Sequence, residues 1–196
     1  MSDAPSTPTP DTDAGNRWRL DWPTSAGRRV GCAELKACPA DFVVDEKLDI
    51  SQCTGGEHLL LRIEKTGDNT EFVARQLAEL AGCRHFDVGF CGLKDRHAIT
   101  RQWFSVYRPG LESEDHELMS RIGETWPILE QCRGRKKLRR SDHQGNGFDI
   151  TLTEVSGQKE AINDALTRLA SVGCPNYFGP QRFGHQGGNL DRAVSM

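Results

Sequence analysis

From His58 to Glu64 the chain alternates strictly, with Leu59, Leu61 and Ile63 on one face and Leu60 and Arg62 on the other. A period of two is the pleat of a β-strand, so this stretch commits the chain to a sheet. The period then changes. Asp68-Asn69 supplies a helix cap, Phe72, Val73, Leu77 and Leu80 recur at helical spacing, and Gly82 closes the run. Further strand-forming segments are Gly31–Lys36, Asp41–Glu46, Phe86–Phe90, Ala98–Tyr107, Pro127–Cys132 and Phe148–Val155. A second helix is expected from about Gln158 to Ser171, with Ile162, Leu166 and Leu169 at core spacing. Together these elements predict an α+β domain with a largely antiparallel sheet flanked by helices.

Outside this core, residues 1–28 read as a disordered tail. Met1–Asn16 is rich in Pro, Ser, Thr and Asp and has neither the basic start nor the apolar centre of a signal peptide. No apolar run approaches the length that spans a bilayer, so no membrane association is expected. Seven cysteines, at 32, 38, 53, 83, 91, 132 and 174, show no Cys-x-x-Cys pair. That spacing argues against a metal site. An odd count without a secretory signal points to reduced thiols and a cytoplasmic location.

Three segments carry potential chemistry. Cys91-Gly92-Leu93-Lys94-Asp95-Arg96-His97 ends a strand in a tight turn and sets one carboxylate among cations before the next strand begins. Flanking cations favour the ionised carboxylate, the form a nucleophile needs. A solvated charged turn is the competing reading of the same residues. Cys174-Pro175-Asn176-Tyr177-Phe178-Gly179-Pro180-Gln181-Arg182-Phe183-Gly184 concentrates aromatics, glycines, an amide and an arginine in a loop, as a ligand-binding segment or a packed structural loop would. The third segment bears on charge. The net charge is −3, yet Arg121–Arg140 holds seven basic residues against Glu124 and Glu130, just after an acidic cluster at 112–117. Six of these cations, Arg133, Arg135, Lys136, Lys137, Arg139 and Arg140, fall within eight residues. Such a run serves a polyanion or is merely a solvated face.

Taken together, the segments resemble the TruD family of tRNA pseudouridine synthases. The main matches are Gly92-Leu93-Lys94-Asp95-Arg96-His97-Ala98-Ile99-Thr100 through Gln102-Trp103, and Pro175-Asn176-Tyr177-Phe178-Gly179 through Gln181-Arg182-Phe183-Gly184. Shorter ones are Leu35-Lys36 with Pro39-Ala40-Asp41-Phe42-Val43-Val44, Gly56-Glu57-His58, Asn69-Thr70, and Gly145-Asn146 with Phe148. They stand in the family's order from about residue 30 to 190.

The resemblance implies an enzyme that isomerises uridine to pseudouridine in tRNA, at position 13 in the bacterial members, without a cofactor, and it points to no protein partner. Asp95 matches the family's catalytic aspartate, Phe42 a substrate-contacting aromatic and Asn146 a substrate-contacting amide. Lys36 is the expected cation beside Asp95, with Lys94 in support, while Arg182 and the 133–140 run are candidates for tRNA phosphates. The resemblance also divides the chain, with residues 29–184 as the N-terminal part of a catalytic domain and 185–196 as the start of an inserted domain. Family members continue past that point to complete the sheet, so an incomplete C-terminal side with exposed apolar faces is expected. An RNA-binding chain without turnover is the alternative, and lack of a glycine-rich phosphate loop argues against a nucleotide phosphotransferase.

Overall fold

The computed structural model describes Trp18, residues 28–175 and residues 178–196. The rest of the expected N-terminal tail, and Asn176 and Tyr177, lie outside the described residues. The chain divides into two compact units, Ala33–Ser156 and a second one drawn from Met1–Cys32 and Gly157–Met196.

In chain order, β1 (Gly31–Leu35) leads to β2 (Phe42–Leu48) and β3 (His58–Lys65). Helix α1 (Thr70–Ala81) precedes β4 (Val88–Phe90) and β5 (Ile99–Tyr107). Helix α2 (Asp115–Gly123), β6 (Ile128–Gly134), β7 (His143–Ile150) and β8 (Leu152–Gly157) complete the run. Six strands form one sheet in the order β6-β3-β5-β2-β7, with β4 also on β5, while β1 and β8 pair separately. The architecture is α+β and mostly antiparallel, with one parallel pairing at its centre, β2 on β5.

Alternation along β3 decides where the core lies. Leu59, Leu61 and Ile63 pack with Phe104, Val106 and Val88 beneath Val73, Ala74 and Leu77 of α1 and Leu118 and Ile122 of α2. Leu60 faces the other way, into a smaller cluster with Trp103, Cys91 and Leu138. Helix α1 begins where Asn69 Oδ1 accepts the Phe72 N–H at 2.8 Å, and it ends at Gly82 in a left-handed conformation at φ 64°. Phe72, counted with the apolar stripe, is instead 44% exposed and meets Trp126 edge-on.

Several expectations from sequence are corrected. The single strand over Phe148–Val155 is two strands, because the chain turns at Thr151, whose N–H donates to Asp41 O at 2.8 Å. The strand expected from Phe86 starts only at Val88, after a helical turn at His85–Asp87. Helix α2 was hidden in the acidic cluster: Leu118 and Ile122 are its only buried apolar residues, and Asp115 is buried by ion pairing. The thiols are not all reduced, for Cys53 and Cys132 form a disulfide across 79 residues. Those two are far apart in sequence and meet only because β3 and β6 pair.

On β7 and β8, Phe148, Ile150, Leu152 and Val155 are all exposed. In the second unit, α3 (Lys159–Val172) and the short α4 (Gly188–Val194) contain no buried residue. No helix among the described residues is long and apolar enough to cross a membrane.

Candidate active site

All of the strongest site candidates lie in the larger unit and converge on β2. Asp95 sits in the turn between β4 and β5, and this turn is held from several directions. Gln102 Nε2 donates to Gly92 O at 2.5 Å, and the Lys94 N–H donates to Thr70 Oγ1 at 2.9 Å. Thr70 in turn donates to Gln102 Oε1 at 3.0 Å, so one buried pair clamps the turn on two sides. Arg96 O accepts from the Gly67 N–H at 3.0 Å on the far side. Buried hydrogen bonds that satisfy each other fix a backbone more firmly than solvated ones, since leaving either partner unpaired is costly.

Lys94 has turned inward. Its ammonium pairs with Glu46, the side chains being 6% and 0% exposed, and Glu46 Oε1 also accepts the Trp103 N–H at 3.1 Å. The lysine adjoining Asp95 is therefore an anchor for the turn, and it leaves Asp95 as the one acid of the segment facing outward. Sequence reasoning missed Glu46, because no local pattern marks a carboxylate whose partner stands 48 residues away.

Asp95 receives two stabilising contacts. Lys36 Nζ lies 2.5 Å from Oδ2, and the His97 N–H donates to Oδ1 at 2.9 Å. The Lys36 hydrogen bond, then the His97 N–H, hold the Asp95 carboxyl below the usual carboxylate range, against a smaller opposing effect of burial. Asp95 thus stays ionised, yet a third of its side chain remains open to a substrate. Lys36 reaches it from a left-handed backbone, φ 61°, which is uncommon for a residue with a Cβ. Such strain persists only where surrounding contacts impose it.

The same ammonium lies 3.9 Å above the centre of the Phe42 ring. Phe148, on the neighbouring strand, meets Phe42 edge-on with ring centres 5.9 Å apart. Register sets Asn146 opposite Glu46 and Phe148 opposite Val44, and paired residues share a face of the sheet. Asn146, Phe148 and Phe42 therefore stand on the face that carries Glu46 and the Asp95 turn. Phe148 is 60% exposed. It went unassigned as a site residue in the sequence, although the Gly145-Asn146 match extended to it.

The remaining candidates separate. Arg133 is occupied: its guanidinium donates to both Asp115 oxygens at 2.7 Å and to Arg108 O at 2.7 Å, so it braces α2. Lys137 donates to Phe86 O. Arg135, Lys136, Arg139 and Arg140 are exposed. Arg182 belongs to the second unit, where its guanidinium stacks on Phe178 at 5.2 Å.

Residues 24–191 match the family model described as tRNA pseudouridine synthase D (TruD). A tRNA pseudouridine synthase D of Marinobacter nauticus is 60% identical over 193 residues, covering 92% of this chain and 55% of the relative. That of Pseudomonas syringae pv. syringae is 48% identical over 178 residues, covering 91% of this chain and 50% of the relative. The chain thus spans about half the length of the curated relatives it matches. A solved structure of a candidate tRNA pseudouridine synthase D from Methanosarcina mazei superposes with a TM-score of 0.64 at 26% identity, over 78% of this chain and 35% of that one.

Proposed function

The chain belongs to the TruD family, and from that premise we propose that it carries the nucleophile half of a tRNA pseudouridine synthase, with Asp95 as the attacking carboxylate. The observation that supports this most is the Lys36–Asp95 pair, closed at 2.5 Å on a turn clamped by Thr70, Gln102 and Glu46. A merely solvated charged turn needs no such clamp.

The chemistry follows from the groups present. Converting uridine to pseudouridine breaks the bond between C1′ and N1, turns the uracil and joins C1′ to C5; the C5 proton is lost and N1 gains one. The change is redox-neutral, so the reading includes no cofactor. Asp95 attacks and later departs, as carboxylates do in glycosyl transfer. Lys36 keeps it ionised before attack.

A target uridine must leave its stack, at a cost of a few kcal/mol. Stacking of the freed base on an aromatic offsets about 1–3 kcal/mol of that. Phe42 and the exposed Phe148 supply this surface beside Asp95. Asn146, with both a donor and an acceptor, complements the imide edge of uracil. On this reading the site acts on position 13 of tRNA in the cytoplasm. Residues 29–184 belong to the catalytic domain, and 185–196 open the inserted one.

The test measures pseudouridine in a tRNA transcript digested to nucleosides and mapped by position. It uses this chain and a version extended with the remaining half of the Marinobacter relative. Pseudouridine at position 13, lost in Asp95→Asn, is the expected result. If the extended protein binds tRNA and forms none, the RNA-binding alternative replaces the synthase reading.

A further inference from the structure

The basic run does not share the face of the sheet that carries the candidate site. Glu46, Thr70 and Gln102, which hold the Asp95 turn, lie on the side covered by α1. Residues 135–138 cross the other side. The Leu138 N–H donates to Ser105 Oγ at 2.9 Å, and the Leu138 side chain is buried against Leu60 and Trp103. The segment is pressed so close that a Cβ on Gly89 of β4 would collide with Leu138 O, so only glycine fits there. One leucine thus pins this part of the run to the sheet. The side chains of Arg135, Lys136, Arg139 and Arg140 are exposed and make no ion pair among the described residues, although the Arg139 N–H donates to Asp142 Oδ2 at 2.7 Å.

Next to this run stands an aromatic that the fold does not use. Lys137 donates to Phe86 O, which fixes the run against the turn at His85–Asp87. The Phe86 side chain is 62% exposed, and the Arg84 guanidinium stacks on it 4.2 Å from the ring centre. Arg84 is itself held by Asp87 at 2.8 Å. Four unpaired cations beside an exposed, cation-backed ring match the two requirements of unpaired RNA: phosphates to neutralise and a base to stack. An acidic protein segment would use the cations but leave the ring without a role.

We infer that this face is a second RNA-contact surface, which holds an unpaired stretch of the substrate away from the base that reaches Asp95. Arg135, Lys136, Arg139 and Arg140 take the phosphates and Phe86 takes a base. The inference rests on the synthase reading for the identity of the RNA, but not for the contact itself.

The experiment measures binding of an unmodified tRNA transcript to the full chain across a salt series. Substituting the four cations together by alanine should weaken binding at 0.15 M salt by at least about tenfold and lower the log–log salt slope by about 3–4. Phe86→Ala should weaken binding about five- to a hundredfold with little change in slope, and not at all for a fully paired RNA duplex. All substituted side chains are exposed, and far-ultraviolet circular dichroism checks that each variant folds. Unchanged affinity and slope in the four-cation variant would overturn the inference, as would equal loss for tRNA and duplex on removing Phe86. Absence of pseudouridine formation with these binding losses intact would sink the synthase reading alone.

Discussion

Removing Glu46 should damage the protein well beyond the loss of one surface charge. Its side chain is fully buried, and it is the partner of two donors, the Lys94 ammonium and the Trp103 N–H. Glu46→Ala leaves a buried ammonium unpaired and a sheet N–H without an acceptor. Breaking one side of a buried ion pair costs about 3–5 kcal/mol. An orphaned backbone donor adds about 1–3 kcal/mol, partly overlapping the first figure. Against a total stability of about 5–15 kcal/mol, the variant is expected to be marginal. Urea unfolding followed by tryptophan fluorescence is the assay, and at a slope of about 2 kcal/mol per molar the midpoint should fall by roughly 2 M. Lys94→Met should cost a similar amount. The double variant Glu46→Leu, Lys94→Met should cost less than the two single losses together, because it removes both buried charges. If either single variant stays within about 1 kcal/mol of wild type, the pair does not hold the Asp95 turn and the reasoning fails.

Three further expectations concern charge and redox state. Lys36→Met should raise the Asp95 pKa toward the ordinary carboxylate value, as read by ¹³C NMR of the carboxyl. Because Asp95 is held below that value in the folded state, its contribution to stability is complete above about pH 3.9 and is lost as pH falls through the lower folded value. The variant should lose this acid-dependent portion, whereas an unchanged carboxyl titration would separate Lys36 from Asp95 in solution. Lys65, buried and donating to Asp68 O, has its pKa pushed from 10.5 down to about 8, chiefly by burial. Between those values the unfolded chain binds the proton that folded Lys65 releases, so stability should rise with pH over that window. Lys65→Met should flatten the rise, and an equal rise in the variant would assign it to other groups. Reducing Cys53–Cys132, which closes a long loop, should lower stability by about 2–4 kcal/mol, as should substituting both by serine. Unfolding that ignores reductant would show the bond open in solution.

What the sequence revealed and what it hid follow from range. The β3 alternation, the Asn69 cap and the Gly82 stop are encoded within a few residues, and each stands where expected. Asp95 stood out as a carboxylate among cations, and the family resemblance singled out Lys36 and Phe42 beside it. The groups that hold the turn were not visible. Glu46, Thr70 and Gln102 reach it across 48, 24 and 10 residues, and each looks like an ordinary strand or helix residue in its own segment. Arg133 shows the converse. In sequence it is one cation of a run, but in the fold it is turned into Asp115, while its neighbours stay exposed. The break at Thr151 was missed because apolar residues continue across it from Phe148 to Val155.

The central claim is that Asp95 is the nucleophile, and tritium release from tRNA bearing [5-³H]uridine tests it most directly. The protein, extended to the length of its relatives, is expected to release tritium. Asp95→Asn should bind the same tRNA with unchanged affinity and release tritium slower by on the order of 10⁴-fold or more. Release from the Asp95→Asn variant at a rate near wild type would contradict the account.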